Sequence, residues 1–189
     1  MNSQKKRSGI ILSALFAALI ASGFFIQIPL PGGIPIIIQD MMALLSGLLL
    51  GPVYGTISTA AFLILGIIGL PVFSGKAGIH VITAGPTGGF LIGYVIASCF
   101  AGIFLSLFLP RGKKHSSAKS YLIIFIAVLL ENAVMFTCGI LGFMRATDAS
   151  LAKAVSACLI PFLPGNSLKQ ILMIFITKKF RPVISEYIQ

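Results

Sequence analysis

An all-α membrane protein with six transmembrane helices and both termini in the cytoplasm is the fold class this sequence predicts, on three observations. Of 189 residues 57% are hydrophobic and 10% charged, whereas soluble domains are about a quarter charged. Apolar runs near 10–28, 36–50, 53–70, 86–109, 120–142 and, with an interruption, 151–180 approach or exceed the roughly 20 helical residues that cross a hydrocarbon core of about 30 Å. The segments that lie inside when the N-terminus is cytoplasmic carry ten of the 14 Lys and Arg residues, as the positive-inside bias requires.

The first run follows Lys5-Lys6-Arg7 and resembles a secretory signal, with small residues at Ala21-Ser22-Gly23. Five more runs follow, so it is read as an uncleaved span. Ala14, Ala17, Ala18 and Ala21 give it a small-residue face, which lets another helix approach closely, either within the bundle or from a partner. Between the second and third runs stands only Gly51-Pro52, a turn signal that makes the pair a tight helical hairpin. Gln39 and Asp40 open the second run. Gln39 offers a ligand both a donor and an acceptor, or else starts the helix; Asp40 is read as a helix-start residue.

Glu131 and Asn132 fall mid-span in the fifth run, where an ionisable group is expensive. Glu131 is a neutral packing residue, a partner for Lys169 or a proton carrier. In the sixth run a break at 161–165 places Asn166 at the N-terminus of a half-helix and Lys169 one turn further on. Free N–H groups, the helix dipole and the ammonium favour an anion there. The alternative is a capping Asn and a lysine snorkelling to the interface.

Lys76, Arg145, Lys153 and Lys169 remain for the outer side. Its connections are rich in Pro and Gly: Pro29, Pro31-Gly32-Gly33 and Pro35; Gly69-Leu70-Pro71 through Gly85-Pro86-Thr87-Gly88-Gly89; and Pro161 to Asn166. Irregular backbone at membrane depth must be buried or line a cavity, so these loops predict one outward-facing pocket. Residues 1–189 form a single domain, with cytoplasmic tails at about 1–8 and 181–189.

A net charge of +10 does not imply nucleic acid, because the basic clusters flank the spans with no aromatic-interleaved patch. Cys99, Cys138 and Cys158 read as inert apolar-run thiols. His80 and His115 lack partners at metal-ligand or triad spacing, and His115 reads as solvated. The Gly-rich segments fit no phosphate loop. The sequence thus predicts no catalytic centre, no metal and no cofactor, with any ATP used by partner subunits only.

Six motifs in order, Ala14-Leu15-Phe16-Ala17-Ala18, Pro35-Ile36-Ile37-Ile38-Gln39, Gly47-Leu48-Leu49-Leu50-Gly51-Pro52, Gly69-Leu70-Pro71-Val72-Phe73, Gly85-Pro86-Thr87-Gly88-Gly89-Phe90 and Pro161-Phe162-Leu163-Pro164-Gly165-Asn166-Ser167-Leu168-Lys169, span nearly the whole chain. Together they resemble the BioY-type substrate-binding (S) components of energy-coupling factor (ECF) importers, which take up biotin. The resemblance implies a six-helix cup in the cytoplasmic membrane that captures biotin. It also implies a transmembrane coupling protein driven by two ATPase subunits, docked on the alanine face of the first helix, with homo-oligomers possible. Gln39, Ser74, Gly75, Lys76, Ala77, Gly78, Asn166 and Lys169 would line the vitamin site. This chain carries Asn166 where the family usually has Asp, and Gly75-Lys76-Ala77-Gly78 where glycines usually surround Asn or Ser. Two other functions compete with it: a proton-coupled transporter of a small organic anion using Glu131, and an intramembrane enzyme using His80.

Overall fold

Small and apolar residues recur on α1 (Ser3–Ser22) at Gly9, Ser13, Phe16, Ala17 and Ile20, and these are its buried residues, the one-sided stripe of a helix packed on a core. The computed structural model describes residues 3–28, 36–112 and 116–188. After α1 a single 3-10 turn, Gly23–Phe25, leads to β1 (Gln27–Ile28), which pairs antiparallel with β2 (Ile36–Ile37). The chain continues through α2 (Gln39–Leu50), α3 (Pro52–Ile67), α4 (Ile79–Thr83), α5 (Gly88–Phe108), α6 (Ser117–Thr147), α7 (Leu151–Cys158), a 3-10 turn (Ile160–Phe162) and α8 (Leu163–Ile188). Prolines 29, 31 and 35, glycines 32 and 33, and His115 lie outside the described residues.

Gly51 turns the chain with φ 88° and Pro52 opens α3, so the α2–α3 hairpin forms as expected. Glycine tolerates that φ at little cost, and proline at the first helical position gives up only an N–H with no partner to lose. Eleven of the twelve α2 residues are buried, and α1, α3, α5, α6 and α8 surround the helix. Close approach rests on small residues: a Cβ on Gly47 would strike the backbone of Ser98, and one on Gly89 the carbonyl of Cys138. In lipid, such backbone-to-backbone packing replaces the hydrophobic drive of soluble cores. Thr59 Oγ1 and Ser98 Oγ, 3.2 Å apart, join α3 to α5 by a buried hydrogen bond.

Four helical segments are long and apolar enough to cross a membrane, namely Ser3–Phe25, Gly88–Phe108, Ser117–Thr147 and Leu151–Ile188, whereas Gln39–Leu50 and Pro52–Ile67 are shorter. The six expected runs, of which the second was already short, therefore resolve into four long segments and two short helices. At 1.5 Å per residue, twelve residues of α2 reach only about 18 Å. Protein rather than lipid surrounds this short helix, so its backbone groups do not meet hydrocarbon.

The break in the last span is displaced from the predicted 161–165. The chain departs from the helix at Leu159, and Pro164, Gly165 and Asn166 already belong to the first turn of α8. Proline fits there because first-turn N–H groups have no intrahelical acceptor. The predicted tail at 181–189 is also helical to Ile188 despite Pro182. The guanidinium of Arg181 holds it down, donating to Leu109 O at 2.7 Å and Leu105 O at 3.1 Å.

Candidate ligand-binding site

A cavity with about 550 Å³ of empty space, counted out to its mouth, lies between the start of α2, the loop before α4, the start of α5 and the later half of α6. Its polar lining is Gln39, Asp40, Ser74, Thr87 and Tyr94, and its apolar lining includes Phe73, Phe90, Met135, Phe136 and Phe162. Phe90 and Phe136 meet edge to face, with centroids 6.0 Å apart. A ligand with a flat apolar body and a few hydrogen-bonding groups suits this division.

Gln39 is held by its own amide: Nε2 donates to Val72 O at 2.8 Å. That bond fixes the orientation of the carboxamide, with Oε1 as its remaining acceptor. Gly23 makes room for it, because a Cβ there would lie 2.7 Å from the Gln39 Cα. In the second wall, Phe73 and Lys76 exchange backbone hydrogen bonds of 3.0 Å in both directions. Ser74 and Gly75 between them have φ 51° and 81°, the two positive φ values of a type I′ turn. That turn presents Phe73 and Ser74 to the cavity.

Lys169 is nine-tenths buried, and its ammonium contacts the carboxylate of Asp40 and the carbonyl of Ile37 at 3.3 Å. This arrangement corrects two sequence readings. Asp40 does more than start a helix: Oδ1 accepts from Met41 N at 2.7 Å, while Oδ2 pairs with Lys169. Glu131 is not the partner of Lys169, which pairs with Asp40; among the described residues both Glu131 oxygens are buried without a hydrogen-bond partner.

Of the predicted site residues, the structure brings Gln39 and Ser74 into the cavity wall and Lys169 directly behind it through Asp40. Asn166, one turn before Lys169, is buried, and its Nδ2 has no partner among the described residues. Gly75, Lys76, Ala77 and Gly78 belong to the same loop but do not line the cavity, and Lys76 is exposed. The alanine face also divides. Ala14 and Ala18 are exposed and Ala21 is half-buried, but Ala17 is 4% exposed in the bundle interior. Ala17 therefore packs the fold and is not available for docking. His80 is exposed on α4, and no group of three His, Cys, Asp or Glu side chains gathers as a metal site among the described residues.

Sequence reasoning missed Asp40, Thr87, Phe90, Tyr94, Met135, Phe136 and Phe162 as lining residues. Thr87, Phe90 and Phe162 sit within the Gly- and Pro-rich motifs, which was their only signal. The α6 pair had none.

Four helical segments of membrane-crossing length, packed with the buried α2 and enclosing a cavity, define a multi-pass membrane protein with an internal site. The chain matches the BioY family over residues 1–186. It is 31% identical over 181 residues to a biotin transporter BioY of Lactococcus lactis subsp. cremoris, covering 95% of this chain and 93% of that protein. A biotin transporter BioY of Rhodobacter capsulatus is 36% identical over 172 residues, with 86% and 87% covered. A crystal structure of the S-component for biotin from an ECF-type ABC transporter superposes with a TM-score of 0.87 at 29% identity, covering 100% of both chains. This chain belongs to the BioY family.

Proposed function

We propose that this protein captures biotin and delivers it across the cytoplasmic membrane as the substrate-specific component of an ECF-type ABC importer. The observation that carries the reading is the cavity, a polar wall at Gln39, Asp40 and Ser74 facing an aromatic wall at Phe90 and Phe136. Biotin has matching chemistry: a ureido group that donates and accepts hydrogen bonds, an apolar sulfur-containing ring and a carboxylate tail. Gln39 and Asp40 meet the ureido group, the aromatic rings cover the body, and Asn166 and Lys169 on α8 provide donors for a polar group of the vitamin. The loop through Ser74, Gly75, Lys76, Ala77 and Gly78 closes the site from outside.

The chain crosses the membrane six times, α2 and α3 included, with both termini cytoplasmic and the cavity open outward. It is one domain, uses no cofactor of its own, and depends on a coupling protein and two ATPase subunits for energy. Ala14 and Ala18 form the docking contact. Isothermal titration of the purified protein with biotin tests the assignment: tight, stoichiometric heat is expected. No heat and no thermal stabilisation at tens of micromolar biotin would remove it.

Glu131, buried without partners among the described residues, supports a second reading as a proton-coupled transporter. Uptake that stops with a proton uncoupler while the ATPases remain intact favours that reading. Uptake that requires the ATPase subunits favours the first.

A further inference from the structure

The end of the bundle opposite the ligand cavity carries a second and larger one, with about 1200 Å³ of empty space counted out to its mouth. It is bounded by the end of α5, the start of α6 and the end of α8. Arg111, Lys178 and Arg181 line it, with Ser120, Thr177 and Ser185 between them. One carboxylate, Glu186, also lines it, but it forms no ion pair with these cations among the described residues.

The guanidinium groups are spent on backbone. Arg111 donates to Leu49 O, and Arg181 to Leu105 O and Leu109 O, so neither charge is neutralised. Burial pulls the Arg111 pKa down from its ordinary value, because removal from water disfavours the charged form. Arg181 and Thr177 are both more than nine-tenths buried. Among the described residues, the Nε–H groups of Arg111 and Arg181 and the hydroxyl of Thr177 have no hydrogen-bond partner. Unpaired buried donors and unneutralised buried cations are each costly, and an oxyanion relieves both.

We propose that this cavity binds the phosphate of an anionic phospholipid, with Arg111, Lys178 and Arg181 as its cations. The lipid source is favoured over a free anion by what adjoins the site. Tyr121 of α6 and Phe175 of α8 meet edge to face at 6.2 Å, and Lys178 Nζ lies 5.5 Å over the Tyr121 ring. The exposed apolar residues Leu122, Phe125 and Val183 continue that seam, offering acyl chains a path beside the head group. Basic pockets between membrane helices are a recurrent form of head-group site, and guanidinium forks suit phosphate oxygens.

The test is thermal unfolding of the detergent-purified full chain with dioleoylphosphatidylglycerol, dioleoylphosphatidylcholine or inorganic phosphate added. Phosphatidylglycerol should raise the midpoint by roughly 5 °C, with little effect from the other two. Lys178→Gln and Arg111→Gln should each lose most of that shift while binding biotin as wild type does. Lys178 sits over the Tyr121 ring and bonds no backbone carbonyl among the described residues, so its variant reads the site even if Arg111→Gln fails to fold. An equal shift with phosphatidylcholine would reduce the effect to acyl packing and overturn the proposal. An equal shift with phosphate alone would make it a free-anion site and overturn the lipid source. No lipid shift, with Lys178→Gln losing the coupling subunits on co-purification, would make the cavity a protein-docking surface instead.

Discussion

Lys169 and Asp40, 129 positions apart in sequence, form a buried ion pair that ties α8 to the start of α2. The pair sets Asp40 against the ligand cavity while Lys169 stays behind it, so a substitution at Lys169 acts on binding through the carboxylate as well as directly. Truncating one partner of a buried, hydrogen-bonded charge contact costs about 2–5 kcal/mol, or roughly 30-fold to several thousand-fold in affinity. Lys169→Ala should weaken biotin binding within that range by titration calorimetry. A dissociation constant within about threefold of wild type would reduce the lysine to a scaffold.

The same pair makes a separate stability prediction. Stranding one buried charge costs about 3–5 kcal/mol, whereas replacing both charges with neutral groups is often tolerated. The double variant Asp40→Asn/Lys169→Met should therefore unfold at a higher temperature than Lys169→Ala alone, yet still bind biotin poorly. Recovery of binding together with stability would show that neither charge meets the ligand.

The Lys169–Asp40 pair also marks the limit of what the sequence disclosed. The hairpin at Gly51-Pro52 was legible because a glycine and a proline there have no competing explanation. Asp40 was not, since a carboxylate in a first helical turn satisfies the local pattern and its ion pair depends on a helix formed much later in the chain. Phe90 and Phe136 read like any lipid-facing aromatic residue, because in a membrane protein both faces of a helix are apolar and periodicity loses its power to assign them. The extension of α8 past Pro182 was hidden for a different reason. Arg181, closing a basic cluster, looks like the start of a solvated tail until its contacts to Leu105 and Leu109 are known.

Gly66 tests whether the aromatic wall is set by packing. A Cβ at this position would strike the Phe73 ring, which itself meets Phe62 edge to face at 5.5 Å and lines the cavity. Overpacking of this kind typically costs about 1–3 kcal/mol. Gly66→Ala should weaken biotin binding by tenfold or more in a titration. Unchanged affinity would mean that Phe73 moves freely and does not shape the site.

On α1 the burial pattern separates two kinds of alanine. Ala14→Trp and Ala18→Trp add an indole to an exposed face, so biotin binding should persist while ATPase-dependent uptake is lost. Ala17→Trp forces the same group into the core and should abolish folded protein. Normal co-purification of the Ala14 and Ala18 variants with the coupling subunits would move the docking face elsewhere.

Glu131 decides between the two transport mechanisms. Both of its oxygens are buried without a partner, and its neighbour Asn132 spends Nδ2 on Val128 O at 2.8 Å, so no charge relay leads away from it among the described residues. An unpaired carboxylate in such surroundings is costly, which makes a neutral amide of the same shape a mild replacement. Glu131→Gln should accordingly keep both biotin affinity and ATPase-dependent uptake within about twofold of wild type, measured with labelled biotin in cells and by titration of the purified variant. Retained binding with uptake reduced tenfold or more, and no further effect of an uncoupler, would make Glu131 the proton carrier and replace the ATP-driven mechanism with a secondary one.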